Sequence, residues 1–80
     1  MMILSMDLGK VNTVCCFYDT RTRKHRFETI ATNRLSIDRL LSLQKTDLVV
    51  MEACGPSGWI SDVCHEKNLQ TLICSTNDEA

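Results

Sequence analysis

The sequence predicts an α/β fold built on one mixed five-stranded sheet, order 3-2-1-4-5, with two crossover helices on one face. Three observations carry that prediction. Short apolar or β-branched runs stand at 2–7, 13–19, 24–30, 47–52 and 70–74, and apolar residues at helical spacing fill the gaps after the third and fourth. Short polar links join the first three runs, so they are neighbours in the order 3-2-1. The runs at 2–7, 47–52 and 70–74 are apolar on both sides, as parallel strands with both faces covered are.

The first strand ends in Asp7-Leu8-Gly9. Thr13-Val14-Cys15-Cys16-Phe17-Tyr18-Asp19 is rich in strand-forming types and makes the second. Thr20-Arg21-Thr22-Arg23 turns the chain into the third, whose main apolar members are Phe27 and Ile30. A helix follows, with Thr32 or Ser36 as its N-cap and Ile37, Leu40, Leu41 and Gln44 along one stripe. The fourth strand closes on Glu52, and Gly55-Pro56-Ser57 opens a second helix with Pro56 near its first position. Trp59, Ile60, Val63 and Cys64 form that helix's apolar face, and Asn68 caps its end. Right-handed crossovers place both helices on the same side of the sheet. The opposite face is left uncovered. Residues 1–80 are therefore expected to be the N-terminal portion of a single domain whose remaining helices lie downstream, and a homo-oligomer is the expected state of the portion alone.

Bulk properties narrow the field. Eighty residues make one small domain, and a net charge of −1 is unlike the basic surface of a self-sufficient nucleic-acid binder. Five cysteines, an odd number, argue against a disulfide framework. Cys15 and Cys16 point to opposite faces of one strand and suit a reducing compartment. The apolar start meets Asp7 too soon for a signal sequence, and no run approaches the ~20 residues of a membrane helix, so a cytoplasmic location is expected.

Asp7 and Glu52 carry the chemistry. Each ends an apolar strand, and the sheet order sets those strands side by side. Two neighbouring carboxylates repel unless a cation or proton lies between them. Mg²⁺ or Mn²⁺ is the natural occupant. Taken singly, Asp7 is more readily a turn residue and Glu52 a helix cap, and it is their pairing on neighbouring strand ends that favours chemistry. Gly9 is expected to serve a close approach just after Asp7. The helix start at Ser57 offers N–H groups that suit a phosphate, or is simply a turn. Arg21, Arg23, Lys24 and Arg26 crowd the second hairpin, where they either touch a nucleic-acid backbone or form a solvated tip. Lys10 and Ser57 complete the candidate nucleic-acid contacts. Cys54, Cys64 and His65 lack zinc-site spacing.

Met6-Asp7-Leu8-Gly9-Lys10-Val11-Asn12-Thr13 and Val49-Val50-Met51-Glu52-Ala53-Cys54-Gly55-Pro56-Ser57-Gly58-Trp59 resemble the two signature blocks of DEDD-type insertion-sequence transposases, and Asn77-Asp78-Glu79-Ala80 resembles the segment beyond that family's fifth strand. The resemblance implies an RNase H-like (RuvC-like) domain in which four acids bind two Mg²⁺ or Mn²⁺ ions for DNA cleavage and strand transfer. It makes Asp7 and Glu52 the first two catalytic, metal-binding acids. The remaining pair and a second, serine-bearing domain would lie beyond residue 80, leaving the portion inactive alone. DNA, and possibly an element-encoded RNA, would be partners of the parent protein in a bacterial or archaeal cytoplasm. Two alternatives stand beside it: a nucleotide-binding module of the actin and sugar-kinase class, which shares the topology and an Asp-x-Gly turn that grips phosphate, and a non-catalytic, self-associating fragment.

Overall fold

A computed structural model describes residues 1–75; the Asn77–Ala80 segment lies outside the described residues. Five strands and two helices follow in the order β1 (Met2–Leu8), β2 (Asn12–Asp19), β3 (His25–Ala31), α1 (Arg34–Leu43), β4 (Leu48–Glu52), α2 (Ser57–Glu66) and β5 (Gln70–Cys74). They form one sheet, β3-β2-β1-β4-β5. β1 pairs antiparallel with β2 and parallel with β4, and β5 adds parallel to β4. The α/β class, the strand order and the two helices agree with the sequence prediction.

Strand alternation decides which face is covered. Leu4 and Met6 on β1, Cys15 and Phe17 on β2, and Val49 and Met51 on β4 share one face and are buried. Ile37, Leu40 and Leu41 of α1 and Ile60, Val63 and Cys64 of α2 complete that core. The other face carries Val14, Phe27 and Leu72, which are 40%, 66% and 51% exposed. An apolar sheet face of this kind is left open among the described residues.

Helix ends follow local chemistry. Asn33, rather than Thr32 or Ser36, caps α1: its side-chain oxygen accepts from the Ser36 backbone N–H at 2.8 Å. The Thr32 hydroxyl instead meets the Thr13 hydroxyl at 2.7 Å, which satisfies a fully buried threonine. Pro56 sits one place earlier than expected, at the N-cap of α2. At the far end Asn68 takes a left-handed φ of 59°, and the N–H of Leu69 reaches back to the Cys64 carbonyl at 2.9 Å. That is the closure asparagine permits.

The cysteines divide by environment. Cys15 and Cys64 are buried, whereas Cys54 and Cys74 are exposed. Burial first, and the Glu28 charge second, push the Cys15 thiol up to about 11 from an ordinary 9.0. Below pH 9 the thiol is neutral in both folded and unfolded chains. Between 9 and about 11 the unfolded chain ionises first, so this contribution to stability falls as pH rises. Urea midpoints measured on either side of pH 9 should show the fall. A maleimide should label Cys54 and Cys74 under native conditions, but Cys15 and Cys64 only after unfolding.

Candidate functional site at the carboxyl edge of the sheet

β1 and β4 run parallel with Met6 opposite Met51, so Asp7 and Glu52 fall on the next rung and on the same face. That face is the open one. Both acids are exposed, so no cost of burying a charge forces them to share an ion. Glu52 also stands opposite Cys74 of β5. Among the described residues no group of three or more His, Cys, Asp or Glu side chains converges on a metal position. The pair is thus a partial donor set. It fits Mg²⁺, which is commonly held by one or two carboxylates with substrate phosphates and waters supplying the rest.

The turn from β1 to β2 lies beside this pair. A Cβ built on Gly9 would come 2.3 Å from the Asn12 backbone oxygen. No side chain fits there, because the opposing atom is main chain and cannot swing away. The close approach expected of Gly9 is real. Gly55 and Gly58 differ: nothing lies within 4 Å of a Cβ at either. Lys10, next in the turn, is exposed at the same edge.

The β4–α2 loop forms the third side. The Ala53 N–H bonds the Cys74 carbonyl at 2.8 Å, tying the loop to β5. The Ser57 hydroxyl donates to the Cys54 carbonyl at 2.8 Å and accepts from the Cys54 N–H at 3.1 Å. That hydroxyl is buried and already engaged, so Ser57 shapes the loop rather than presenting a free group. Asp7, Lys10, Glu52 and the start of α2 therefore share one edge.

The basic hairpin does not join them. β2 runs antiparallel to β1, so its far end, with Arg21, Arg23 and Lys24, lies at the opposite edge of the sheet. The Thr20 N–H bonds the Met1 carbonyl at 2.9 Å, which marks that edge. Arg26 has structural partners: its guanidinium lies 4.5 Å from the centre of the Phe17 ring and bonds Glu28 at 3.1 Å and Gln44 at 2.7 Å. Direct hairpin reasoning could have separated the two groups, since a strand pair sends its tip away from the strand end that precedes it.

No protein-family model matches the chain, and no curated protein matches it. Solved structures do. The Ppx/GppA phosphatase of Aquifex aeolicus, in its type II variant, is similar over 99% of this chain and 37% of its own, with 14% identity and a TM-score of 0.47. The ethanolamine utilization protein EutJ of Carboxydothermus hydrogenoformans is similar over 92% of this chain and 37% of its own, with 12% identity and a TM-score of 0.44. The chain thus spans little more than a third of either structure's length. Neither is a transposase. The expected transposase function, with its DNA recombination and RuvC-like four-acid chemistry, is corrected accordingly. That expectation rested chiefly on the block from Glu52 to Trp59, with the Asp7-Leu8-Gly9 turn as its weaker part. No helix among the described residues is long and apolar enough to cross a membrane.

Proposed function

We propose that the chain supplies one side of a nucleotide-binding site of the actin and sugar-kinase kind, with the β1–β2 turn facing phosphate and with Asp7 and Glu52 as the residues that would hold Mg²⁺. The strand order is shared by ribonuclease H-like nucleases and by this class, so order alone does not decide. The observation that carries the reading is the Gly9 turn. Its backbone is bare of side chain at the carboxyl end of a parallel strand, which is where open α/β sheets take ligands. Lys10 in that turn and the start of α2 add positive potential at the same edge. A two-carboxylate donor set fits a magnesium–phosphate pair better than it fits two bare ions. When bound, the metal would neutralise phosphate charge; the turn would position it.

The chain holds one such turn and no second glycine-rich loop within its 80 residues, so binding is expected to be weak. Calorimetry with ATP should give a dissociation constant on the order of 0.1–1 mM with Mg²⁺. EDTA should abolish the heat, because bare phosphates meet Asp7 and Glu52 as like charges. Asp7→Asn should weaken the magnesium-dependent binding about tenfold, the effect of losing one charged ligand contact. Binding that ignores both Mg²⁺ and Asp7→Asn would count against the proposal.

A further inference from the structure

β3 is a terminal strand of the sheet, so one row of its backbone groups has no partner strand among the described residues. The Asp19 N–H bonds the Lys24 carbonyl and the Thr32 N–H bonds the Val11 carbonyl, which fixes the phase of the β2–β3 ladder. Antiparallel alternation then turns the N–H and C=O groups of Arg26, Glu28 and Ile30 toward β2, and those of His25, Phe27, Thr29 and Ala31 outward. The Ala31 carbonyl already accepts from the Asn33 N–H at 3.0 Å. The run open to a new strand is therefore His25, Phe27 and Thr29, with Phe27 at its centre.

The helix beside this edge does not close it. A cavity of about 300 Å³ lies between β3 and α1, lined by Glu28, Ile30, Leu35, Arg39 and Leu43 among others. Leu35 and Leu43, at its border, are 69% and 74% exposed. Free edges are commonly guarded by charges that repel a second strand. The charges here are one of each sign. Arg26 and Glu28 stand two residues apart on the same face of β3, and they bond each other at 3.1 Å.

We infer that β3 pairs with β3 of a second copy of this chain, antiparallel about a two-fold axis beside Phe27, so that the two sheets become one. In this register His25 meets the partner's Thr29, Phe27 meets the partner's Phe27, and each such pair exchanges both of its main-chain hydrogen bonds. On the helix-covered face Arg26 stands opposite the partner's Glu28, and Glu28 opposite the partner's Arg26. Opposite charges and aromatic pairs directly across a ladder are favourable, and like charges are unfavourable. Sliding by two residues sets Glu28 against the partner's Glu28, or Arg26 against the partner's Arg26. Sliding by one puts the outward N–H and C=O groups out of phase. The charges thus select the same register as the open backbone run. A strand of one sign would not fit itself in this way. The contact is narrow, so the dimer is weak, with a dissociation constant on the order of 0.1 mM.

The test is sedimentation equilibrium of the 80-residue protein and its variants, with circular dichroism to check that each variant is folded. Arg26→Glu makes the edge wholly acidic and Glu28→Arg makes it wholly basic. Each alone should dimerise at least about tenfold more weakly than the unmodified chain. Mixed in equal amounts, the two should form a heterodimer at least as tight as the original dimer, a recovery that misfolded variants could not produce. Thr29→Pro removes an outward N–H at a place where an edge strand tolerates proline, and it should also weaken the dimer about tenfold. Leu72→Lys, on the open sheet face at the far strand β5, should leave it unchanged. An unmodified chain still monomeric at about 1 mM, ten times the expected constant, overturns the proposal. So do folded charge variants or Thr29→Pro that dimerise as well as the original, or folded charge variants that form no heterodimer. A dimer lost with Leu72→Lys also overturns it and would give the contact to the open face.

Discussion

Replacing Ile60 by alanine is expected to cost about 2–5 kcal/mol of stability, the range for truncating a large buried aliphatic side chain. Ile60 is fully buried in α2 and belongs to the cluster that binds both helices to the sheet. Truncation removes favourable burial and leaves a void that close-packed neighbours fill only partly. Small domains hold roughly 5–15 kcal/mol in total, and a chain of this length sits toward the low end. The variant should therefore be substantially unfolded in water or nearly so, with its urea midpoint moved far toward zero. Leu43→Ala is the control. Leu43 is an exposed leucine at the end of α1, and its loss should shift the midpoint little.

Gly9→Ala should cost about 1–3 kcal/mol, the usual range for forcing an extra group into a filled space. The added methyl would collide with the Asn12 backbone oxygen, so relief requires the turn itself to move. Since β1 and β2 are joined there, the strain falls on the central hairpin. Gly58→Ala tests the same chemical change without the clash. Gly58 lies inside α2 with open space around its Cβ position, so alanine there should be neutral or stabilising by up to about 1 kcal/mol through helix propensity. Opposite signs for the two substitutions in urea unfolding would show that position, not glycine content, governs the turn. Equal effects would contradict the geometry at Gly9.

The strand order was legible because each strand announces its neighbours. Short polar links leave the first three strands little choice but to pair in sequence. The apolar run at β4, ended abruptly by Glu52, marks a parallel strand with its acid at the carboxyl edge. The helix start was less legible. Thr32, Asn33 and Ser36 are all competent caps, and the choice fell to Asn33 because Thr32 is drawn to the buried Thr13 hydroxyl across the sheet. A contact between residues so far apart in sequence leaves no local signature.

The site was legible in part. Asp7 and Glu52 were placed on neighbouring strand ends correctly, but alternation puts both on the open face, where they are exposed. Water solvates both carboxylates there, so their mutual repulsion is weaker than it would be in the core. The transposase expectation leaned on the short block from Glu52 to Trp59. In the structure that block is a strand end, a loop tied to β5 and a helix start, local features that many α/β sheets share. The groove between β3 and α1 was missed altogether. Leu35 and Leu43 look like ordinary helix residues until the structure shows them bordering a groove beside the edge strand β3.

The central claim is that phosphate binds at the β1–β2 turn with magnesium held by Asp7 and Glu52. The most direct measurement is a titration of the ¹⁵N-labelled chain with ATP and Mg²⁺, followed through its backbone amide resonances. Shifts should concentrate at residues 8–12 and 53–59 and should vanish on removal of Mg²⁺, while the hairpin around Arg21 and Arg23 stays silent. Shifts centred on that hairpin, or none at the Gly9 turn at saturating nucleotide, would contradict the claim.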